Sequence, residues 1–460
     1  MDHNELYTAV DRISELPDHL LQEILCFLPT KQVVQSTILS KRWQHMCNSI
    51  PVLKLNTSSF GSTSWRDLVG KKKRNIPKQK RRDIQRKNAN FYNFVNKTLR
   101  SLSVKKFTLT DCLDKQQSVS RVDHWIGFVV KSNVEELDLF YLQGQCRRRY
   151  HLPKSVFLAK SLTVLSLDWY DQTIHKLVAG SPVIQDMEFT GCHGLKSIKF
   201  ESLTKAMSIK MEDCHMLERL KISSHSLKTL YLTHRLNRDW GNKLVEVDID
   251  TPNLCKLAYC SFAFIPFSLN ALALSEATYH ELDPIAPWNF EKIKCFAKLN
   301  NSKLLTLESH FAKDMVIPKK LRETLPSSSY NVKQLQLKTA NLFTGLEIAE
   351  LIDSLLWISP LPEIILVVVL WKASISFKFS YEKPILKGEK PSCCKFLPVP
   401  CWRHCLRSVM IENFRVSTNE ETLKAVEASL EKYFHENTEI LETFQFIPGD
   451  IALDIVKMEP

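Results

Sequence analysis

DRISELPDHLLQEILCFLPTKQVVQSTILSKRWQHMC, residues Asp11 to Cys47, carries the densest run of helix signals in the chain. Leu20, Leu21, Ile24, Leu25 and Leu28 recur at i, i+1, i+4, i+5 and i+8, which makes one apolar stripe on a helix of about three turns. Pro17 is tolerated in the first turn, and Pro29 stops the helix because its ring would clash with the preceding turn. Thr30 then reads as the N-cap of a second helix carrying Val33, Val34, Thr37 and Ile38. Ser40 reads as the cap of a third, short helix holding Trp43 and Met46. Three short helices bury little core, so a module of this size leans on a partner and keeps apolar surface as an interface. The competing reading is an ordinary small helical core built from the same side chains.

The runs LPDHLLQEIL, FLPTK and LSKRW, in that order and register, resemble the F-box of plant F-box proteins, here placed at residues 10–56. The resemblance implies docking on a Skp-type adaptor that joins F-box proteins to a cullin scaffold. It assigns adaptor contact to Leu16, Pro17, Leu20, Ile24, Leu25, Leu28, Leu39 and Trp43.

A chain of 460 residues exceeds the size at which single cores stop growing, so a multidomain or solenoid architecture is expected. No basic stretch followed by an apolar region opens it, which reads as a product without a secretory signal. The longest apolar run, Ile364 to Trp371, is too short for a membrane span and suits a strand buried on both faces. Thirteen scattered cysteines then read as reduced core residues. Cys393, Cys394, Cys401, His404 and Cys405 offer zinc-ligand types, but no second cluster at finger spacing accompanies them. No metal and no cofactor are expected.

Nine of the net twelve positive charges sit between residues 71 and 87, where ten lysines and arginines face Asp83 alone. Such a block self-repels, so residues 66–90 are expected to form a disordered linker. Lys71, Lys72, Lys73 and Arg74, then Lys80, Arg81 and Arg82, resemble a bipartite nuclear import signal. The same charges would attract nucleic acid without sequence preference, although no aromatic residues interleave for base stacking. Location in nucleus, cytoplasm or both follows.

Downstream, residues 91–385 repeat an apolar triplet of the form LxxLxL. Copies starting at Ile184, Leu195, Ala206, Leu217 and Leu227 step by 11, 11, 11 and 10 residues, and Cys112, Cys192 and Cys214 follow at the LxxLxLxxC position. The regularity reads as a leucine-rich-repeat solenoid in which two steps make one coil of about 22 residues, with an extended segment on each side. FYNFVNKTLR reads as a helix starting the solenoid, and Gly345 to Ile358 as a later one. SVSRVDHWIGFVVKSNVEELDL and AGSPVIQDMEFTGCHGLKSIKF resemble the irregular repeats of plant F-box proteins.

Residues 395–452 read strand, helix, strand. Leu406, Val409 and Ile411 face inward on the first strand, and Leu423, Val426, Leu430 and Phe434 line the helix behind a Thr418 cap. This unit resembles the FBD module of plant F-box proteins, with KYFHENTEILETFQF as the helix end and final strand and without the glycine usual ahead of the helix. The fold class is therefore α+β: a three-helix F-box, an irregular α/β leucine-rich-repeat solenoid and a C-terminal strand-helix-strand module.

Motifs for phosphate cradling, metalloprotease chemistry and serine hydrolysis are absent, and eleven glycines leave little for phosphate-binding loops. A non-catalytic chain is expected. Outward positions of the strands run acidic at Asp138 and Glu188, then basic at Lys199, Lys210, Arg219 and Lys221, with Tyr231 beyond. They read as a solvated face or as a recognition surface using Asp138, Glu188, Lys210 and Tyr231; in 22-residue coils Lys199, Arg219 and Lys221 would lie opposite Lys210. The expected function is a substrate-receptor subunit of a Skp-cullin-F-box ubiquitin ligase that holds an unidentified protein target. The alternatives are an F-box scaffold without degradation targets and a nuclear nucleic-acid binder using residues 71–87.

Overall fold

The computed structural model describes residues 13–449 apart from 14, 57–58, 60–77, 102–103, 112–115, 142–151, 169–182, 193–195, 202, 215–216, 235–243, 262–263, 282–287, 325–330, 342–347, 370–372, 383–400 and 415–419. Two compact units divide it, Met1–Gly194 and Leu195–Pro460. The division falls inside the stretch expected as one solenoid.

The first unit opens with α1 (Asp18–Phe27), α2 (Thr30–Ser36) and α3 (Lys41–Ser49). Leu28 is extended ahead of Pro29, so the proline ends α1 as its chemistry requires. Ser40 caps α3 by accepting the Trp43 N–H at 3.2 Å. Thr30 does not cap α2. Pro29 takes that position and Thr30 is the first helical residue, its buried hydroxyl instead accepting the backbone N–H of Lys54 at 2.7 Å.

Lys54 lies on β1 (Val52–Asn56), which pairs parallel with β2 (Lys106–Asp111); β3 (Glu136–Tyr141), β4 (Val164–Asp168) and β5 (Asp186–Thr190) follow, each parallel to the last. Register stacks Leu53, Phe107, Leu137, Leu165 and Met187 in one interior row and Leu55, Leu109, Leu139, Leu167 and Phe189 in the next. Burying each such side chain contributes about 1.5–3 kcal/mol, so the period-2 alternation locks the register.

Helices α4 (Lys78–Ser101) and α5 (Gln116–Lys131) cross between the first strands. From Lys78 onward, α4 overturns the expected linker. Phe91, Val95 and Leu99, at i, i+4 and i+8, are buried. Phe91 meets Trp125 of α5 edge-on at 5.9 Å, and the Trp125 indole N–H donates to Asn96 at 2.7 Å. With that half nucleated, helix propagates cheaply through Lys, Arg and Gln, all good helix formers. Asn133 ends α5 in the left-handed region (φ 59°); its N–H reaches Val130 O, and that of Val134 reaches Val129 O, a Schellman closure with asparagine in the place of glycine.

The second unit alternates between two sheets. β6 (Ser197–Phe200), β8 (Arg219–Ser223), β10 (Glu246–Asp250) and β12 (Phe267–Asn270) form one; β7 (Ser208–Glu212), β9 (Thr229–His234), β11 (Lys256–Ser261) and β13 (Glu276–Glu281) begin the other. Two 11-residue steps therefore make one coil, as the spacing implies. Beyond β13 helices take over the second side: α6 (Phe290–Ala297), β14 (Leu304–Phe311), α7 (Lys319–Thr324), β15 (Gln334–Asn341), α8 (Ile348–Ile358) and β16 (Ile364–Val369). On β16 only alternate residues are fully buried, the others half-buried, so the strand is less enclosed than its composition suggests.

The strand β17 (Ala373–Tyr381) runs antiparallel to β16 and pairs with β18 (Leu406–Phe414). Helix α9 (Glu420–Asn437) and β19 (Thr443–Pro448), parallel to β18, complete the expected strand-helix-strand unit on the same sheet. Leu406, Val409, Ile411, Val426, Leu430 and Phe434 are buried, while Leu423 is half-buried and Thr418 lies outside the described residues. Asp353 of α8 ties this unit down, taking Arg322, Arg403 at 2.8 Å and the Tyr433 hydroxyl at 2.7 Å.

Candidate functional site

The three N-terminal helices bury Leu25, Val33, Met46, Cys47 and Ile50, with Leu28, Trp43 and Val52 packed against them. Leu21 and Leu25 point inward from α1, and the stripe is wider than this core can cover. Leu20 (37%), Ile24 (41%) and Leu39 (63%) consequently stay exposed. Pro17 is exposed, and Leu16, Leu28 and Trp43 are half-buried. Leu25 is the correction: at 0% exposure it supports the face from beneath and cannot touch a partner.

Sequence reasoning passed over two residues. Phe27 is 82% and Ile38 85% exposed, next to the turn into α2 and the turn into α3. For Phe27 the available signal was an apolar side chain lying off the buried stripe; Ile38, expected on the second helix, lies instead in the turn after α2 ends at Ser36. Large apolar side chains exposed on so small a module offer a candidate interaction surface.

The entry to this face is held by charge. The Arg42 guanidinium donates to Asp18 at 2.6 and 2.8 Å and to the Leu16 carbonyl at 2.5 Å, fixing the Leu-Pro-Asp turn to α3. Cys47 donates to Val33 O at 3.1 Å, and burial pushes its thiol above the ordinary value, as it does for Cys26. Cys47 sits in the core of the three helices and Cys26 packs against it.

The proposed target-contact residues fall on both units. On the first, the half-buried Asp138 and Glu188 flank the buried Ser166 on the strand face opposite the apolar rows, Asp138 accepting the Thr108 hydroxyl at 3.1 Å and lying 3.8 Å from Lys106. The Lys106 ammonium is held above its usual range by its hydrogen bond to Glu136, with Asp138 adding to it. On the second, Lys210 pairs in register with Tyr231, whose ring is exposed, and Lys210 lies 3.1 Å from Glu212. Lys199 and Lys221 pair with one another on the other sheet, beside Arg219, so they do not join Lys210.

Of the basic segment, Lys71, Lys72, Lys73 and Arg74 lie outside the described residues, as do the side chains of Lys80 and Arg81; Arg82 is exposed on α4. Cys393 and Cys394 are also outside them. Cys401 and Cys405 are buried, and Cys405 donates to Cys401 O at 3.1 Å.

Comparison with known proteins agrees with this geometry. Residues 13–55 match the F-box domain family. A putative F-box/LRR-repeat protein of Arabidopsis thaliana is 27% identical over 286 residues, covering 54% of this chain and 49% of the relative. An F-box/LRR-repeat protein from the same plant is 30% identical over 270 residues, 55% and 46% respectively. An FBD-associated F-box protein, also from Arabidopsis thaliana, is 32% identical over 159 residues, 34% of this chain and 33% of the relative. The chain spans about half the length of the first curated relatives it matches. With an F-box domain over residues 13–55 followed by strand-rich repeats, the chain is similar to the F-box/LRR-repeat proteins of Arabidopsis thaliana.

Proposed function

We propose that the chain is a substrate-receptor subunit of a Skp-cullin-F-box ubiquitin ligase. The observation that carries this reading is the set of exposed apolar side chains Leu20, Ile24 and Phe27 on α1 and Ile38 and Leu39 in the turn before α3, all within the residues that match the F-box domain. A Skp-type adaptor, and through it a cullin, docks there; the outward rows of the repeats, including Asp138, Glu188, Lys210 and Tyr231, hold a protein target. The chain contributes proximity and no chemistry. A target tethered near a charged ubiquitin-conjugating enzyme reaches a high effective concentration without a catalytic side chain here. The basic segment serves nuclear import in this reading.

Affinity purification of the full chain with the proteasome blocked tests it. The expected result is adaptor and target together, with the target's half-life lengthened when the chain is depleted. Recovery of the adaptor with no protein whose half-life depends on the chain would favour a scaffold without degradation targets.

A further inference from the structure

Ser261 ends β11 and Glu281 ends β13, two neighbouring parallel strands that pair them in register. Alternation puts both on the interior face shared by Tyr259 and Tyr279, and both are fully buried. One carboxylate oxygen of Glu281, Oε2, takes the Lys292 ammonium from α6 and the Tyr279 hydroxyl at 3.3 Å. Lys292 is buried too, 4.7 Å from the centre of the Trp288 ring. The other oxygen, Oε1, has no hydrogen-bond partner among the described residues, and the Ser261 hydroxyl, beside the Tyr259 phenol, has none of ordinary geometry.

Two adjacent orphaned polar atoms at the same level of the sheet call for an occupant, because desolvating such atoms without replacement opposes folding. The ion pair with Lys292 leaves the site without net charge, so neither an anion nor a divalent cation suits it. Paired parallel strands stand about 4.8 Å apart, so the two side chains start from neighbouring positions on one face, and a single oxygen between them could bond both.

We propose that the carboxyl ends of β11 and β13 enclose a binding site for a neutral hydroxyl, which donates to Glu281 Oε1 and bonds Ser261 Oγ. A trapped water and a hydroxyl of a retained small molecule present the same chemistry. A high-resolution crystal structure of the full chain, with native mass spectrometry of the same preparation, tests the site and separates the sources. The expected result is density about 2.6–3.2 Å from both atoms. A compact peak without added mass identifies water, and connected density with added mass identifies a small hydroxylated molecule; either supports the site. No density, a direct Ser261 to Glu281 hydrogen bond, or anomalous scattering from a metal overturns it. Ser261→Ala, a small change inside a buried strand, is expected to fold and lose the peak. Its persistence at the same position and occupancy overturns the assignment.

Discussion

The Thr30 hydroxyl accepts the backbone N–H of Lys54 at 2.7 Å, joining the second F-box helix to the first strand of the repeat sheet. The Lys54 ammonium adds a bond to Cys26 O at 2.8 Å, and Leu53 and Leu55 of the same strand fill the interior rows. Within the first unit, therefore, F-box and repeats share β1. Thr30→Val should leave the Lys54 N–H without its acceptor, at about 1–2 kcal/mol. Hydrogen exchange at that amide is expected to quicken roughly tenfold or more, since about 1.4 kcal/mol is a factor of ten; unchanged exchange would deny the link. A deletion meant to remove adaptor binding alone should stop before Pro51 and spare β1.

Leu20 and Leu25 sit five residues apart and should respond in opposite ways. Leu25→Ala empties a fully buried position and is expected to destabilise the first unit by about 2–5 kcal/mol. Leu20→Ala should stay within about 1 kcal/mol, because that side chain is already partly in water. Denaturant midpoints of the two variants check this.

At the C-terminus, Asp353→Ala leaves Arg322, Arg403 and Tyr433 without their shared acceptor. A loss of about 1.5–3 kcal/mol is expected, read as increased protease sensitivity of α9. An unchanged cleavage pattern would mean that aromatic packing of Phe434 on Phe379 and Phe444 suffices.

Tyr433 supplies a pH test. Burial, then Asp353, holds its phenol well above the ordinary value, and burial does the same for Tyr381. The folded state therefore keeps protons that the unfolded chain releases near pH 10. This contribution is fully present below about pH 10 and is lost as pH rises from there towards the folded values. Unfolding midpoints should lose the tyrosine contribution only above about pH 10, with a shallower fall in Tyr433→Phe.

Replacing Arg82, Arg86 and Lys87 with Gln should preserve α4, because Gln is also a good helix former and the anchoring residues Phe91, Val95 and Leu99 are untouched. Circular dichroism is expected to be unchanged. Substituting the whole set of ten basic residues should move a fluorescent fusion from nucleus to cytoplasm; unchanged localisation would remove the import role.

Much of this organisation is readable from local pattern. Period-2 alternation and 11-residue steps foretell the two alternating sheets, because each apolar triplet needs an interior row to fill. Composition misleads at α4: charge repulsion argues for disorder, whereas three apolar residues further along nucleate a helix that continues back as far as Lys78. Spacing also cannot separate Leu25 from Leu20, since the width of the covered stripe depends on α2, α3 and β1. The capping role assigned to Thr30 fails for a similar reason, its partner being 24 residues away. Glu281, Lys292 and Ser261 gave no local signal, because strand register and a crossing helix bring them together.

If the chain is a receptor subunit, the exposed apolar side chains of its F-box bind the adaptor. Calorimetric titration of a Skp-type adaptor into the full chain and into Leu20→Glu, Leu39→Glu measures it directly. The wild-type chain is expected to bind, and the double variant, with its fold retained by circular dichroism, to lose about 2 kcal/mol or more, roughly 30-fold in Kd. Equal affinity for the two folded proteins would contradict the claim.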